Sequence, residues 1–162
     1  RRPVYLRGKE HFRYGSGLTT GYGCRVDLDG DGPTLVIGRN CKMNDHVHIV
    51  AHERVEIGDD VLMASNIFIS DTSRGDYGGA PSDPAVPPDD RSLHTKPVRI
   101  GNNVWIGEGV HIMPGVTIGD GCVIDANSVV TCSLDEKAVA VGVPAKVIKR
   151  WDSVSGLWVK QA

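Results

Sequence analysis

Aromatic side chains are scarce in this chain: 6% of 162 residues, as three Trp, four Tyr and two Phe. So few rings, beside 20 Gly and 9 Pro, argue for many turns between small repeating units rather than for long helices. No apolar run approaches the ~18 residues a membrane-spanning helix needs, and no signal-peptide pattern is present. A net charge of −2 leaves no basic footprint for nucleic acid. Cys24, Cys41, Cys122 and Cys132 show neither paired metal-ligand spacing nor a dense disulfide pattern. They are read as reduced thiols, so a cytoplasmic protein without a bound metal is expected. At 40% hydrophobic, the chain is long enough for one domain with its own core.

What is present is a clock. From Ile100 the sequence reads IGNNVW, IGEGVH, IMPGVT, IGDGCV, IDANSV, and Ile100, Ile106, Ile112, Ile118, Ile124 and Val130 keep one six-residue register. Val104, Val110, Val116, Cys122 and Ser128 follow it four positions later. Neither a 3.6-residue helix nor a period-2 strand repeats every six residues. A prism does, with three flat faces per turn and aliphatic side chains pointing into a narrow core. The clock also runs through Ile37, Met43 and Ile49, then Ile57, Met63 and Ile69. The spacing from Ile49 to Ile57 is eight, so one corner carries two extra residues and Asn66 should stack over His46. Residues 4 to 28 read as an irregular first coil. Such coils bury their apolar side chains only by stacking, so the architecture is a solenoid. The register breaks once, between Ser70 and Val98, where Pro, Gly and Asp crowd a loop ejected from the coil at about 71–97. A long loop with charge, Tyr77 and His94 favours function.

The hexapeptide pattern, the run "KPVRIGNNVWIGEGVHIMPGVTIGDGCVI" and the ending "AVGVPAKVIKR" resemble the left-handed parallel β-helix acyltransferases. "TTGYGCRVD", "MNDHVHI" and "FISD" followed by Gly are most similar to O-acetyltransferases of lipopolysaccharide and capsular sugars. Galactoside and maltose acetyltransferases are more distant relatives. The resemblance covers residues ~5 to 150. It implies an all-β domain over 1–150 with a short tail over 151–162, and a homotrimer binding acetyl-CoA along the groove between two prisms. The acceptor, a sugar of a surface polysaccharide or its precursor, would enter under the extruded loop. Carried over by position, Trp105 matches the tryptophan beside the thioester, and Glu108 and Ala126 fall where the pantetheine arm is lined. Thr131 and Cys132 fall near the nucleotide end, and Lys146 and Lys149 match basic residues that meet the phosphates. The plain alternatives are solvated charge for each lysine and ordinary packing for Trp105.

O-acetyl transfer needs a base for the hydroxyl proton, and imidazole suits that role. In "FISDTSRGDYGG" the resemblance puts the family's base at position 74, where Arg74 stands. A guanidinium stays protonated and accepts no proton. Asn44 matches an asparagine near the reacting centre. His46 and His48 are two apart on one strand and project to the same side, and His94 closes the loop. Three readings of Arg74 stay open: another histidine among His46, His48 and His94 is the base, catalysis is impaired, or Arg74 binds an acidic group. Three functions follow: a sugar O-acetyltransferase, a trimeric binding or scaffold homologue, or a transferase for an amino sugar or antibiotic. A carbonic-anhydrase-like zinc site would need a histidine pair at a spacing that "HVHIVAH" does not offer.

Overall fold

The computed structural model describes residues 4–79 and 81–161. The chain winds as a left-handed β-helix whose three faces are parallel sheets. The first face stacks Tyr5–Arg7, Arg25–Leu28, His48–Ala51, Phe68–Ser70, His111–Ile112 and Val129–Val130. The second stacks Phe12–Tyr14, Leu35–Ile37, Val55–Ile57, Val98–Ile100 and Thr117–Ile118. The third runs through Thr19–Thr20, Lys42–Met43, Leu62–Met63, Trp105–Ile106, Val123–Ile124 and Ala138–Val141.

The six-residue register is the core. Ile37, Met43, Ile49, Ile57, Met63, Ile69, Ile100, Ile106, Ile112, Ile118, Ile124 and Val130 are all at most 3% exposed. They lie in ladders such as Ile49 beside Ile69 beside Ile112 beside Val130. The second register position is buried too, and where it holds Ser128 the hydroxyl accepts the Gly142 N–H at 3.0 Å. A polar atom in so narrow a core needs that partner. The first coil is regular, with Tyr5 in register with Arg25. Its irregular sequence reflects long corners, not a different architecture.

Corners form from a left-handed residue repeated down the axis. At the corner between third and first faces, Gly23, His46, Asn66, Gly109 and Asn127 all have φ between 56 and 70°. Each stacks through its backbone: Asn66 N–H donates to the Asp45 carbonyl at 3.0 Å and Asn127 N–H to the Glu108 carbonyl at 2.7 Å. Asn66 thus lies over His46. Asn, Gly and Asp dominate such positions because they tolerate positive φ at least cost. His46 and Lys137, at φ 56 and 54°, are the exceptions.

The clock breaks at the corner between first and second faces. The loop leaves as strand Thr72–Arg74 and returns as Leu93–Thr95, an antiparallel ribbon pairing Ser73 with His94 and Arg74 with Leu93. The tail expected from residue 151 is likewise a strand pair. Lys146–Asp152 adds antiparallel to Ala138–Val141, and Leu157–Lys160 adds to it in turn, so the boundary at 150 falls inside one strand. Asp152 accepts the Val154 N–H at 3.0 Å and Gly156 has φ 66°, which closes the turn between them.

Candidate active site

The residues singled out by sequence fall in three places. Trp105 projects from the third face, 51% exposed, between Leu62 above and Val123 below. Val123 pairs with Val139 and Val139 with Lys149. Side chains alternate along strands, so Trp105, Val123, Val139 and Lys149 form one outward line. Lys146 shares its side, opposite Val141.

Asn44, His46, Glu108 and Ala126 gather at the corner between third and first faces, all exposed. The Glu108 carboxylate accepts the Asn66 side-chain amide at 3.1 Å. The His46 ring lies over Gly23, where a Cβ would come within 2.5 Å of its Nδ1, and meets Tyr22 edge-on at 5.7 Å. Only a glycine fits under that ring. His48 stands just around the corner, half-buried, its Nε2 3.1 Å from an Asp27 carboxylate oxygen and its ring 5.2 Å from Phe68. Asp27 also takes Arg25 at 2.6 Å and Arg7 at 3.6 Å. Burial raises the Asp27 carboxyl, but hydrogen bonds from Arg25 and His48, with both arginine charges, outweigh it and hold it below the usual carboxylate value. A cavity of about 560 Å³ opens beside this cluster, lined by Tyr5, Arg7, Gly23, Arg25 and Asp27.

The ribbon carries the third group. Arg74 and His94 lie on opposite sides of it, because Arg74 pairs with Leu93 while His94 pairs with Ser73. The Arg74 guanidinium meets the Asp89 carboxylate at 3.2 Å, and the Tyr77 hydroxyl donates to the Arg74 carbonyl at 2.5 Å. His94 instead faces a cavity of about 400 Å³ with Ser73, Asp76, Tyr77 and Lys96. Thr131 and Cys132 are exposed at the same corner of the prism, lower down. In one chain, therefore, the ribbon and these two residues stand apart from the Trp105 line. Among the described residues no three His, Cys, Asp or Glu side chains converge as a metal site requires.

Residues 97–132 match the profile of the bacterial transferase hexapeptide family (six repeats). Over 160 residues the chain is 43% identical to the protein named lipopolysaccharide biosynthesis O-acetyl transferase WbbJ of Escherichia coli (strain K12), across 98% of this chain and 81% of that protein. The chain belongs to the hexapeptide-repeat acetyltransferases. It is also 43% identical over 118 residues to galactoside O-acetyltransferase of Escherichia coli (strain K12), across 73% of this chain and 55% of that enzyme. It thus matches little more than half of the galactoside enzyme's length. A solved structure of galactoside acetyltransferase in complex with coenzyme A superposes with a TM-score of 0.75 at 36% identity, over 95% of this chain and 74% of that one.

One functional group of this acetyltransferase escapes a sequence reading. Asp71 is fully buried at the root of the ribbon. Its carboxylate accepts the backbone N–H groups of His52, Glu53 and Arg54 at 2.8–3.1 Å and the Thr72 hydroxyl at 2.6 Å. Its carbonyl takes the Lys96 N–H at 2.8 Å, so both legs of the ribbon are tied to one residue. The amides come from the corner with two extra residues. That corner and the loop are thereby one device: the longer turn presents donors, and Asp71 anchors the ribbon to them. The eight-residue spacing was the available signal.

Burial pushes the Cys41 and Cys122 thiols up, so they stay protonated in the core. All four cysteines are free, with Cys132 exposed. No helix among the described residues is long and apolar enough to cross a membrane.

Proposed function

We propose that this acetyltransferase moves the acetyl group of acetyl-CoA onto a sugar hydroxyl of a surface polysaccharide or its precursor, in a site shared by neighbouring copies of a homotrimer. The observation that carries the reading is the exposed line Trp105–Val123–Val139–Lys149. An apolar strip ending in an ammonium suits a donor with a long uncharged arm and a phosphorylated end. Glu108 and Ala126, at the adjacent corner, flank the strip. The similarity over 98% of the chain to a protein named for lipopolysaccharide O-acetylation supports a sugar hydroxyl as acceptor.

The shape of the prism supports a site built from two copies. The Trp105 line looks out from the third face, while the ribbon, Thr131 and Cys132 sit at the corner between the other two. One ligand reaches both sets only in a groove where one copy supplies the line and its neighbour the ribbon.

In the transfer the acceptor oxygen attacks the thioester carbonyl while a base takes its proton. An oxyanion forms and collapses, the C–S bond breaks, and the thiol leaves protonated. Trp105 and the lysines hold the donor, and Asn44 lies near enough to the corner to orient an oxygen. Position 74 is the base slot by resemblance. Arg74 there stays protonated and takes no proton, so transfer by this chain is slow. Release of free thiol from acetyl-CoA, followed with and without a panel of sugars, tests the reading. Sugar-dependent release, raised at least about tenfold by Arg74→His, is expected because a positioned base supplies ~10²–10⁴-fold. Donor binding without turnover on any acceptor, in both proteins, would leave a scaffold instead.

A specific observation favours a second reading of the base. His94 lines the 400 Å³ loop cavity with hydrogen-bonding groups suited to a polyhydroxylated ring. If the acceptor enters on that side, His94→Ala abolishes transfer and Arg74→His gains nothing.

A further inference from the structure

The N-terminal end of the first face carries a charged patch that the transfer step does not use. Tyr5 is in register with Arg25, and Arg7 with Asp27. Residues two apart on a strand share a side, so these four side chains form one patch outside the prism, opposite the buried Val26 and Leu28. They line the cavity of about 560 Å³ together with Gly23, the glycine under the His46 ring. The Cys24 thiol donates to the Asn44 carbonyl at 3.0 Å, which ties the patch to the corner holding Asn44 and His46. The two guanidinium groups are left with unused donors. Arg25 gives its Nε–H to Asp27 at 2.6 Å, and its terminal nitrogens have no partner among the described residues. Asp27 is also bonded to His48 at 3.1 Å, and Arg7 comes no closer to it than 3.6 Å, beyond hydrogen-bond length. The Arg25 and Arg7 side chains stay 52% and 77% exposed.

A guanidinium with free N–H groups presents a rigid fork that grips an oxyanion by two bonds at once. Tyr5, 64% exposed, gives the same cavity a ring on which the carbon–hydrogen face of a sugar can rest. We propose that the acceptor sugar is acidic, its carboxylate or phosphate held by Arg7 and Arg25, its ring against Tyr5 and its reactive hydroxyl toward the Asn44 corner. The proposal rests on the sugar-acetyltransferase reading above and names the class of sugar which that reading leaves open. A neutral sugar forgoes the charged pairing, so the patch discriminates by charge more than by the shape of the ring.

Calorimetric binding to the full chain tests it with three probes that differ at one carbon: methyl galacturonide, galactose 6-phosphate and methyl galactoside. One or both of the acidic sugars should bind about tenfold tighter than the neutral one, and added salt should erode the difference. The tighter of the two identifies the oxyanion. Arg7→Gln should remove about that tenfold at unchanged Tm, since Arg7 is exposed and makes no hydrogen bond in the fold. Arg7→Lys should restore part of it, because the charge returns without the fork. The salt dependence of the native chain needs no variant, which covers a substitution that misfolds. Equal binding of acidic and neutral sugars overturns the proposal, as does a loss on Arg7→Gln that is just as large for methyl galactoside. Inorganic phosphate bound as tightly as the acidic sugars also overturns it, because the ring would then add nothing. So does an acetyl-CoA KM that rises with Arg7→Gln, because the patch would then serve the donor. Failure of the underlying reading looks different: Arg7-dependent binding of an acidic sugar, with no thiol released from acetyl-CoA on any sugar, keeps the site and loses the transferase.

Discussion

Asp71 shows how much one side chain can hold when its partners are backbone. Three amides and a hydroxyl converge on a carboxylate with no exposure. Asp71→Asn keeps the shape but turns an amide NH₂ toward N–H donors, and an unmet buried polar group costs about 1–3 kcal/mol. At roughly 2–4 °C per kcal/mol for a chain this size, Tm should fall by ~2–12 °C, with protease cutting within 75–92 becoming faster than elsewhere. Faster cutting spread evenly along the chain would mean that Asp71 supports the whole prism rather than the ribbon. Asp27 gives a pH signature. Its carboxyl is held low in the fold, so its contribution is present above the ordinary carboxylate value of ~3.9 and disappears as pH falls through the lowered folded value. The Tm gap between the native chain and Asp27→Asn should be open at pH ~6 and narrow as pH falls below the ordinary carboxylate value of ~3.9, and a gap that widens in acid would reverse the sign assigned here. Neither residue could be picked out from the chain alone. Asp71 depends on amides 17 to 19 positions earlier, and Asp27 on a histidine 21 positions later.

At the scale of elements, the prism was legible and the strand pairs attached to it were not. A register kept from Ile100 to Val130 is a global constraint written locally, since each hexapeptide buries its aliphatic residue only by stacking on the next. Ile106→Asp should therefore abolish folding: the side chain is fully buried between Met63 and Ile124, and an unpaired buried carboxylate costs several kcal/mol. Soluble protein with an unchanged melting temperature would mean that residue 106 does not point inward. The ribbon strands are three residues each, too short to show alternation, so the loop betrayed its place but not its form. That form matters, because it sets Arg74 and His94 on opposite sides, a separation invisible while both were simply loop residues. The terminal hairpin was hidden by an irregularity between Val139 and Ala140 that shifts the pairing of the next strand. Its turn chemistry, Asp152 with Gly156, was the missed sign.

The whole molecule poses the question of where one active site ends. The Trp105 line and the ribbon face different directions from one prism, and no bend in a stack of parallel ladders brings them together. Flat faces pack side by side, and a closed ring of three copies gives each groove one wall from each neighbour. Light scattering should accordingly report three times 17.4 kDa. Mass alone does not show that the site is shared, whereas complementation does. Trp105→Ala damages the line and Asp71→Asn the ribbon, so each homo-oligomer should be nearly inactive. When the two variants are unfolded together and refolded as mixed trimers, random assembly places an intact line opposite an intact ribbon in about a quarter of the grooves. Activity should return to about that fraction of the native rate, with the native KM for acetyl-CoA, because the restored grooves are native on both walls. If each site lies within one chain, no mixture restores it, and activity stays at the level of the separate variants at every mixing ratio.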